Sequence, residues 1–184
     1  MGSNEGTLLI RDAAEGDGEV IRAVALAAYE QYADTLPKKR WEAYRESIAG
    51  SVDGDGPEAR IVAELNGEIV GSVLLFISSE KAYGKPELGI DGPIIRLLSV
   101  APSARGKGVA TALIQECVRR ARTLGAAYLH LHTSAMMASA VKLYERLGFE
   151  RAPDKDFQNG ETHVLHYRLN LTMTALLKPA GKHS

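Results

Sequence analysis

Apolar residues recur at two spacings along the chain, and the changes of spacing predict the order of its helices and strands. An apolar run at residues 7–11 indicates a short strand. Helix-like spacing then predicts one helix from Asp17, its expected N-cap, to about residue 32, and a second over residues 39–48. The predicted apolar stripe of the first helix consists of Val20, Val24, Ala27 and Ala28.

A hairpin is predicted next. Two apolar runs, at residues 59–65 and 69–78, are joined by the dipeptide Asn66-Gly67. Asparagine and glycine accept the positive φ angles that a tight two-residue turn requires. Such a strand pair is not part of a purely parallel, doubly wound sheet.

The second half of the chain alternates strands with helices. In chain order, the predicted elements are strand 94–100, helix 108–124, strand 128–133, helix 139–147 and strand 163–169. Pro102 closes the first strand, Gly125 ends the first helix and Gly148 supplies a left-handed cap for the second. Residues 51–58 and 79–92 are rich in turn-forming residues and are predicted loops. This order predicts a mixed α/β sheet with helices on both faces.

Composition narrows the class of protein. The 184 residues include 22 Lys and Arg against 23 Asp and Glu, a net charge of -1, so no nucleic-acid partner is expected. The length suits a single domain over residues 1–184, with a core at about residues 7–170 and a tail at 171–184. Cys117 is the single cysteine, and neither a signal peptide nor an apolar run of membrane length is visible. We therefore expect a cytoplasmic protein without a membrane partner.

One segment between a predicted strand and a predicted helix has the features of an anion-binding turn. It consists of Arg105, Gly106, Lys107, Gly108, Val109 and Ala110. The glycines let the backbone approach a phosphate, and the N–H groups and dipole of the helix start attract negative charge. The segment fits neither a P-loop nor the dinucleotide fingerprint. From these residues alone, an ordinary helix start is an equal alternative.

The wider context resembles the GNAT acetyltransferase superfamily, through LLSVAP at residues 97–102, RGKGVA at 105–110 and LYERLGF at 143–149. The phosphate motif of that family has the form R-x-x-G-x-G/A, and Arg105, Gly108 and Ala110 fill it. The resemblance implies a GNAT-like fold, with a mixed, mostly antiparallel sheet of about six or seven strands and about four helices.

The resemblance also implies a cosubstrate, acetyl-CoA, and no metal. Its pyrophosphate is expected at residues 105–110, and its pantetheine arm along the backbone of Leu98, Ser99 and Val100. An amine would attack the thioester directly, and a backbone N–H near Leu98 would donate to the developing oxyanion.

Tyr144 occupies the position of the general acid in this family. A tyrosine with a reference pKa of about 10 stays protonated at neutral pH and is able to protonate a leaving thiolate. The alternative is a core aromatic, because Ala140, Tyr144 and Leu147 share one helical stripe.

The proton acceptor for the amine departs from the family pattern. Many members carry an acidic residue on the strand before the phosphate turn, where this chain has Ile94 and Arg96. His132, Glu87 and Asp91 are the substitutes, and His132 has the most suitable pKa. A hydrogen-bonded structural histidine is the alternative for His132. Arg96 either binds a substrate carboxylate or pairs with an internal acid.

Further positions complete the expected site. Met137 stands where the family often has a cofactor-contacting asparagine, which leaves that contact to Ser134 or Ser139. The histidines supply no third metal ligand, and Cys117 is expected in the core. Four aromatic residues are expected either to cover the acceptor pocket or to pack a helical hairpin: Tyr29, Tyr32, Trp41 and Tyr44.

These observations predict an acetyl-CoA-dependent N-acetyltransferase acting on a small-molecule amine or an amino-acid-like acceptor. The alternatives are a protein N-terminal or lysine acetyltransferase, and a non-catalytic acyl-CoA-binding or sensing domain. The apolar tail at residues 171–177 suggests a homodimer contact as one use of that segment.

Overall fold

The computed structural model describes residues 7–134, 137–159, 162–174 and 176, and the side chains of Tyr32 and Thr35 lie outside this description. The described part contains five α-helices and eight strands. The helices are α1 (Gly18–Tyr29), α2 (Lys38–Asp53), α3 (Ser79–Tyr83), α4 (Val109–Thr123) and α5 (Ala138–Arg146). The strands are β1 (Leu8–Asp12), β2 (Ala59–Leu65), β3 (Glu68–Phe76), β4 (Ile94–Val100), β5 (Tyr128–Thr133), β6 (Glu150–Arg151), β7 (Phe157–Asn159) and β8 (Thr162–Asn170).

The chain groups into two compact units. The first takes in the chain up to Phe76 together with Arg96–Ile114, and the second takes in Ile77–Ile95 and the chain from Gln115 onward. Strand β4 and helix α4 therefore each continue from one unit into the other. The single domain over residues 1–184 stays a prediction.

The first unit is built on an antiparallel ladder in the order β1, β2, β3. Its β2–β3 hairpin is confirmed, because Asn66 and Gly67 have φ angles of 56° and 82°. The register shifts between Ala63 and Glu64, which places a bulge in the hairpin. The chain from β3 reaches β4, the next strand in the order.

Helix α1 buries a stripe that differs from the predicted one. The buried residues are Ile21, Val24, Ala25 and Ala28. Val20 is 43% exposed, so the predicted stripe was wrong at its start. Asp17 precedes the helix without capping it by its side chain. Its carboxylate instead accepts hydrogen bonds from the Ala14 N–H (2.7 Å) and the Arg11 guanidinium (3.0 Å), which lower the pKa of Asp17.

The second unit is centred on β5 and β8, which pair antiparallel along the whole of β5. Strand β4 pairs in parallel with β5 at Ile94 and Ile95. The short strands β6 and β7 both pair antiparallel with β8. The predicted fold class, a mixed and mostly antiparallel α/β sheet, is confirmed.

Glycines end helices where the sequence predicted them to. Gly125 (φ 78°) donates its N–H to the Arg122 carbonyl at 2.9 Å after α4. Gly148 (φ 103°) follows α5, and the Phe149 N–H returns to the Tyr144 carbonyl at 3.0 Å. Two predictions about extent were wrong: α2 runs on to Asp53, and the predicted loop at residues 79–92 contains α3.

Cys117 lies in the core, as predicted. Its side chain is 0% exposed on α4, and burial raises the pKa of the thiol to about 12. Among the described residues, no helix combines the length and the apolar character needed to cross a membrane.

Candidate active site

Strand β4 is distorted where the resemblance places the pantetheine arm. Leu97 has a φ of 55°, a left-handed conformation that costs a non-glycine residue about 1–3 kcal/mol. The parallel register of β4 with β5 covers Ile94 and Ile95 and stops before this residue. Leu97 is therefore an irregular point in β4, and residues held in a left-handed conformation are common at functional sites.

Two hydroxyl groups hold the carbonyl groups of Leu97 and Leu98. The buried Ser99 hydroxyl donates to the Leu97 carbonyl oxygen at 3.0 Å. The Tyr29 hydroxyl, at the end of α1, donates to the Leu98 carbonyl oxygen at 3.3 Å. Both peptide groups that flank Leu98 are thus fixed by side chains of the first unit.

The chain then leaves β4 through a tight connection. The Ala101 N–H donates to the Val70 carbonyl oxygen of β3 at 2.8 Å, and a 3₁₀ turn at Pro102–Ala104 follows. Ala104 is 1% exposed and anchors this turn. The predicted phosphate-binding residues come directly afterwards.

Residues 105–108 of the predicted anion-binding turn are exposed. Gly106 and Gly108 have φ angles of 80° and 79°, and a Cβ added to either would meet nothing within 4 Å. The Ala112 N–H donates to the Gly108 carbonyl at 3.1 Å as α4 begins. The N–H groups of residues 109–111 come before this bond, at the helix end where backbone donors lack intrahelical acceptors.

Gly71 on β3 sets the distance between this turn and the strands. A Cβ at Gly71 would lie 2.7 Å from Val109 Cγ1, 3.0 Å from the Ser99 carbonyl oxygen and 3.2 Å from Leu113 Cδ1. Only glycine fits at this junction of β3, β4 and α4. Gly71 was not predicted from the sequence, although a lone glycine inside a strand pattern is a known signal of close backbone approach.

His132 has protein partners at both ring nitrogens. Its Nδ1 lies 3.1 Å from the Tyr83 hydroxyl oxygen, and its Nε2 lies 3.0 Å from the Lys155 carbonyl oxygen. Because a carbonyl only accepts, Nε2 carries the proton, and in the neutral ring Nδ1 accepts from Tyr83. This geometry favours the structural alternative, and a role of His132 as base stays a prediction.

A second pair of histidines lies beside His132. His166 Nδ1 is 3.0 Å from the Ala152 carbonyl oxygen, so it donates there, and its Nε2 accepts from His130 Nδ1 at 2.9 Å. Burial, with smaller effects from neighbouring His166 and His132, lowers the pKa of His130 to about 4. Burial also lowers the pKa of His166. No cluster suited to a metal ion is found in the part of the chain that the structure describes.

Tyr144 on α5 is 8% exposed, and its ring lies 5.8 Å from that of Phe149 between centroids. This contact agrees with the core alternative, and the role as general acid stays a prediction. Ser134, one of the substitutes for the family asparagine, has a buried hydroxyl without a hydrogen-bond partner among the described residues. Met137 Sδ lies 3.6 Å from the Thr133 hydroxyl, which donates to it.

The remaining candidates have defined surroundings. Arg96 donates to the Ser51 hydroxyl at 3.1 Å, and its guanidinium lies 5.8 Å from the centre of the Phe76 ring. Glu87 and Asp91 are exposed. In the aromatic group, the Tyr44 ring meets those of Tyr29 and Trp41 edge to face, at 5.9 Å and 6.0 Å. The side chain of Tyr32 lies outside the description of the structure. In the tail at residues 171–177, residues 175 and 177 lie outside it as well.

Comparison with known proteins identifies the family of this chain. A family model described as the acetyltransferase (GNAT) family matches residues 21–149, which is more than half of the chain. The chain belongs to the GNAT acetyltransferase family. This confirms the resemblance inferred from the three sequence segments.

Curated relatives of this GNAT chain match it over part of their length. N-acetyltransferase family 8 member 2 of Rattus norvegicus is 36% identical over 90 residues, 49% of this chain and 38% of the rat protein. IAA acetyltransferase of Azospirillum brasilense is 30% identical over 99 residues, 53% of this chain and 59% of that protein. The chain therefore spans less than two thirds of these relatives.

Solved structures share the GNAT fold over nearly the whole chain. The ribosomal-protein-S18-alanine N-acetyltransferase of Escherichia coli has a TM-score of 0.63 at 18% identity, covering 92% of this chain and 97% of that one. The PaiA N-acetyltransferase of Thermoplasma acidophilum, in complex with coenzyme A, has a TM-score of 0.65 at 14% identity, covering 87% and 98%. At these identities the likeness concerns the fold.

Proposed function

We propose that this GNAT chain is an acetyl-CoA-dependent N-acetyltransferase that acetylates a primary amine of a small molecule or an amino-acid-like acceptor. The observation that carries the proposal is the left-handed backbone of β4 at Leu97, followed along the chain by an exposed turn with two left-handed glycines and by the start of α4. A strand distortion and an anion-binding helix start stand a few residues apart in the order that the cosubstrate requires.

The residues fit the cosubstrate. Its pyrophosphate would accept hydrogen bonds from the turn of Arg105, Gly106, Lys107, Gly108, Val109 and Ala110, where the absent Cβ atoms leave the backbone open. Its pantetheine arm would follow the backbone of Leu98, Ser99 and Val100. The Thermoplasma acidophilum protein of similar fold was solved in complex with coenzyme A, which supports acetyl-CoA as the cosubstrate.

The proposed transfer proceeds by direct attack. The acceptor amine, after losing a proton, forms a C–N bond to the thioester carbonyl carbon, and the carbonyl electron pair moves onto oxygen. The C–S bond then breaks as the carbonyl re-forms, and the thiolate takes a proton from Tyr144. The Leu98 N–H donates to the oxyanion meanwhile. His132, Glu87, Asp91 or water takes the proton of the amine.

A second candidate is a protein N-terminal acetyltransferase. It is supported by the fold shared with the ribosomal-protein-S18-alanine N-acetyltransferase. A third is a non-catalytic acyl-CoA-binding domain, which the departures at Arg96 and Met137 favour. We also propose that the chain acts in the cytoplasm, and that a homodimer forms through its C-terminal tail.

Release of free thiol from acetyl-CoA tests all three candidates. The wild-type chain is incubated with acetyl-CoA and a panel of primary amines, amino acids and short peptides. Release with an amine or amino acid supports the first proposal, and release with peptides alone favours the second. Binding of CoA in calorimetry without release supports the third, and absence of both binding and release refutes the family-based function.

A further inference from the structure

The peptide group between Leu97 and Leu98 follows the left-handed φ of Leu97, and its N–H is the one that the proposed function assigns to the oxyanion. A trans peptide is planar, so the Leu97 carbonyl and the Leu98 N–H point to opposite sides of one rigid plate. Whatever fixes that carbonyl therefore also fixes the direction of that N–H. The Ser99 hydroxyl fixes it, at 3.0 Å from the carbonyl oxygen.

The next peptide group is fixed as well. Its carbonyl oxygen, on Leu98, accepts from the Tyr29 hydroxyl at 3.3 Å. Leu98 thus lies between two peptide planes, each held by one hydroxyl group of the same compact unit. A strained φ at Leu97 persists only where the surroundings over-determine it, and these two bonds meet that condition.

The environment of the two hydroxyls separates their contributions. Ser99 is 1% exposed, so water does not compete for its hydrogen bond. Tyr29 is half-buried at the last residue of α1, and its ring meets Tyr44 of α2 edge to face at 5.9 Å. Donation to a carbonyl also polarises the N–H of the same peptide, which makes that N–H a better donor.

We propose that Ser99 and Tyr29 are positioning residues that aim the Leu98 N–H at the carbonyl oxygen of the acetyl thioester. The proposal rests on the proposed function, since it assumes acetyl-CoA along β4. Neither side chain touches the reacting atoms. Their effect is expected to be larger on acetyl-CoA than on CoA, because CoA lacks the acetyl carbonyl oxygen to which the Leu98 N–H would donate.

Titration calorimetry with two probes, acetyl-CoA and CoA, tests the proposal without an acceptor. Ser99→Ala and Tyr29→Phe each remove one hydroxyl and keep the rest of the side chain. We expect each variant to bind acetyl-CoA about 2-fold to 10-fold more weakly, the range of one neutral hydrogen bond, and to lose less affinity for CoA than for acetyl-CoA. Ser99→Thr keeps the hydroxyl and is expected to restore the preference for acetyl-CoA.

Matched controls delete hydroxyls elsewhere. Ser72→Ala removes a buried hydroxyl from β3, and Tyr128→Phe removes one from a half-buried tyrosine on β5. Both are expected to leave the ratio of the two affinities at the wild-type value. In addition, ¹³C on the acetyl carbonyl gives a direct signature: its resonance moves toward the value of free acetyl-CoA in Ser99→Ala.

Each outcome of the calorimetry supports or refutes the positioning role. A wild-type chain that binds neither probe refutes the proposed function and this inference with it. If the wild type binds both and the two variants keep the wild-type affinity ratio, only the positioning role is refuted. An equal loss for both probes indicates a purely structural role and refutes it too. Should Ser99→Ala fail to fold, Tyr29→Phe, at a half-buried site, carries the same measurement.

Discussion

Gly71→Ala is expected to weaken CoA binding without touching the ligand. The new Cβ would lie 2.7 Å from Val109 Cγ1 and 3.0 Å from the Ser99 carbonyl oxygen, both closer than van der Waals contact allows. Val109 is 2% exposed, so its side chain cannot move out into solvent without leaving the core. The start of α4 or strand β4 must therefore move.

The magnitude follows from two opposing effects. Overpacking of a core costs about 1–3 kcal/mol, whereas the loss of glycine freedom in the unfolded chain returns about 0.4–1 kcal/mol. A net loss of about 1–2 kcal/mol lowers Tm by about 2–8 °C for a chain of this size. A helix start displaced by a fraction of an ångström is expected to lower CoA affinity about 10-fold.

The assay combines thermal unfolding with CoA calorimetry on three variants and a control. Val109→Ala removes the closest contact, so Gly71→Ala/Val109→Ala is expected to recover about 1 kcal/mol relative to additivity. Gly50→Ala on α2 has nothing within 4 Å of its Cβ and is expected to raise Tm. Wild-type Tm and CoA affinity in Gly71→Ala would refute the argument that this glycine spaces the turn.

Four further outcomes are expected. Gly108→Val should lower CoA affinity about 10-fold or more by strain at φ 79° and by bulk toward the phosphate, and unchanged calorimetry would disprove the assignment. Ser134→Ala should raise Tm, because it removes a buried hydroxyl that has no hydrogen-bond partner among the described residues. The same variant should weaken CoA binding, and a stable variant with full CoA affinity would place Ser134 outside the binding site. Tyr144→Phe should lower kcat about 10-fold to 10³-fold at constant KM for acetyl-CoA, and an equal kcat with chemistry rate-limiting would make it a core residue. The pKa of His130 is about 4 in the folded chain and 6.5 in the unfolded chain, so the unfolded chain binds more protons between these two pH values. The free energy of unfolding should therefore fall as the pH drops from 6.5 to 4. His130→Gln should reduce this slope when unfolding is measured as a function of pH.

Local chemistry explains what the sequence could predict. The hairpin at Asn66-Gly67 and the caps at Gly125 and Gly148 depend on backbone angles that few residues adopt, so their positions are visible in the sequence. The anion-binding turn is visible for the same reason. Short elements such as α3 and β7 depend on partners that are distant in the sequence, so no local pattern predicts them.

The left-handed backbone of β4 at Leu97 could not be predicted from the sequence. Leu97 is an ordinary apolar residue in an apolar run, and nothing about its type indicates a φ of 55°. The peptide groups that follow it are held by the hydroxyl of Ser99, on the same strand, and by the hydroxyl of Tyr29, which lies far away in the sequence. The sequence therefore predicts the strand but not the left-handed backbone within it.

The candidate residues divide between the compact units in a way that makes their roles separable. All the predicted cofactor-binding residues, from Leu98 to Ala110, belong to the first unit, and Tyr144 and His132 belong to the second. If the first group binds the cosubstrate and the second moves protons, their substitutions act on different steps. Gly108→Val combined with Tyr144→Phe should then multiply the two single effects, with the first on affinity and the second on turnover. A double variant no worse than Tyr144→Phe alone would mean that the two residues serve one step.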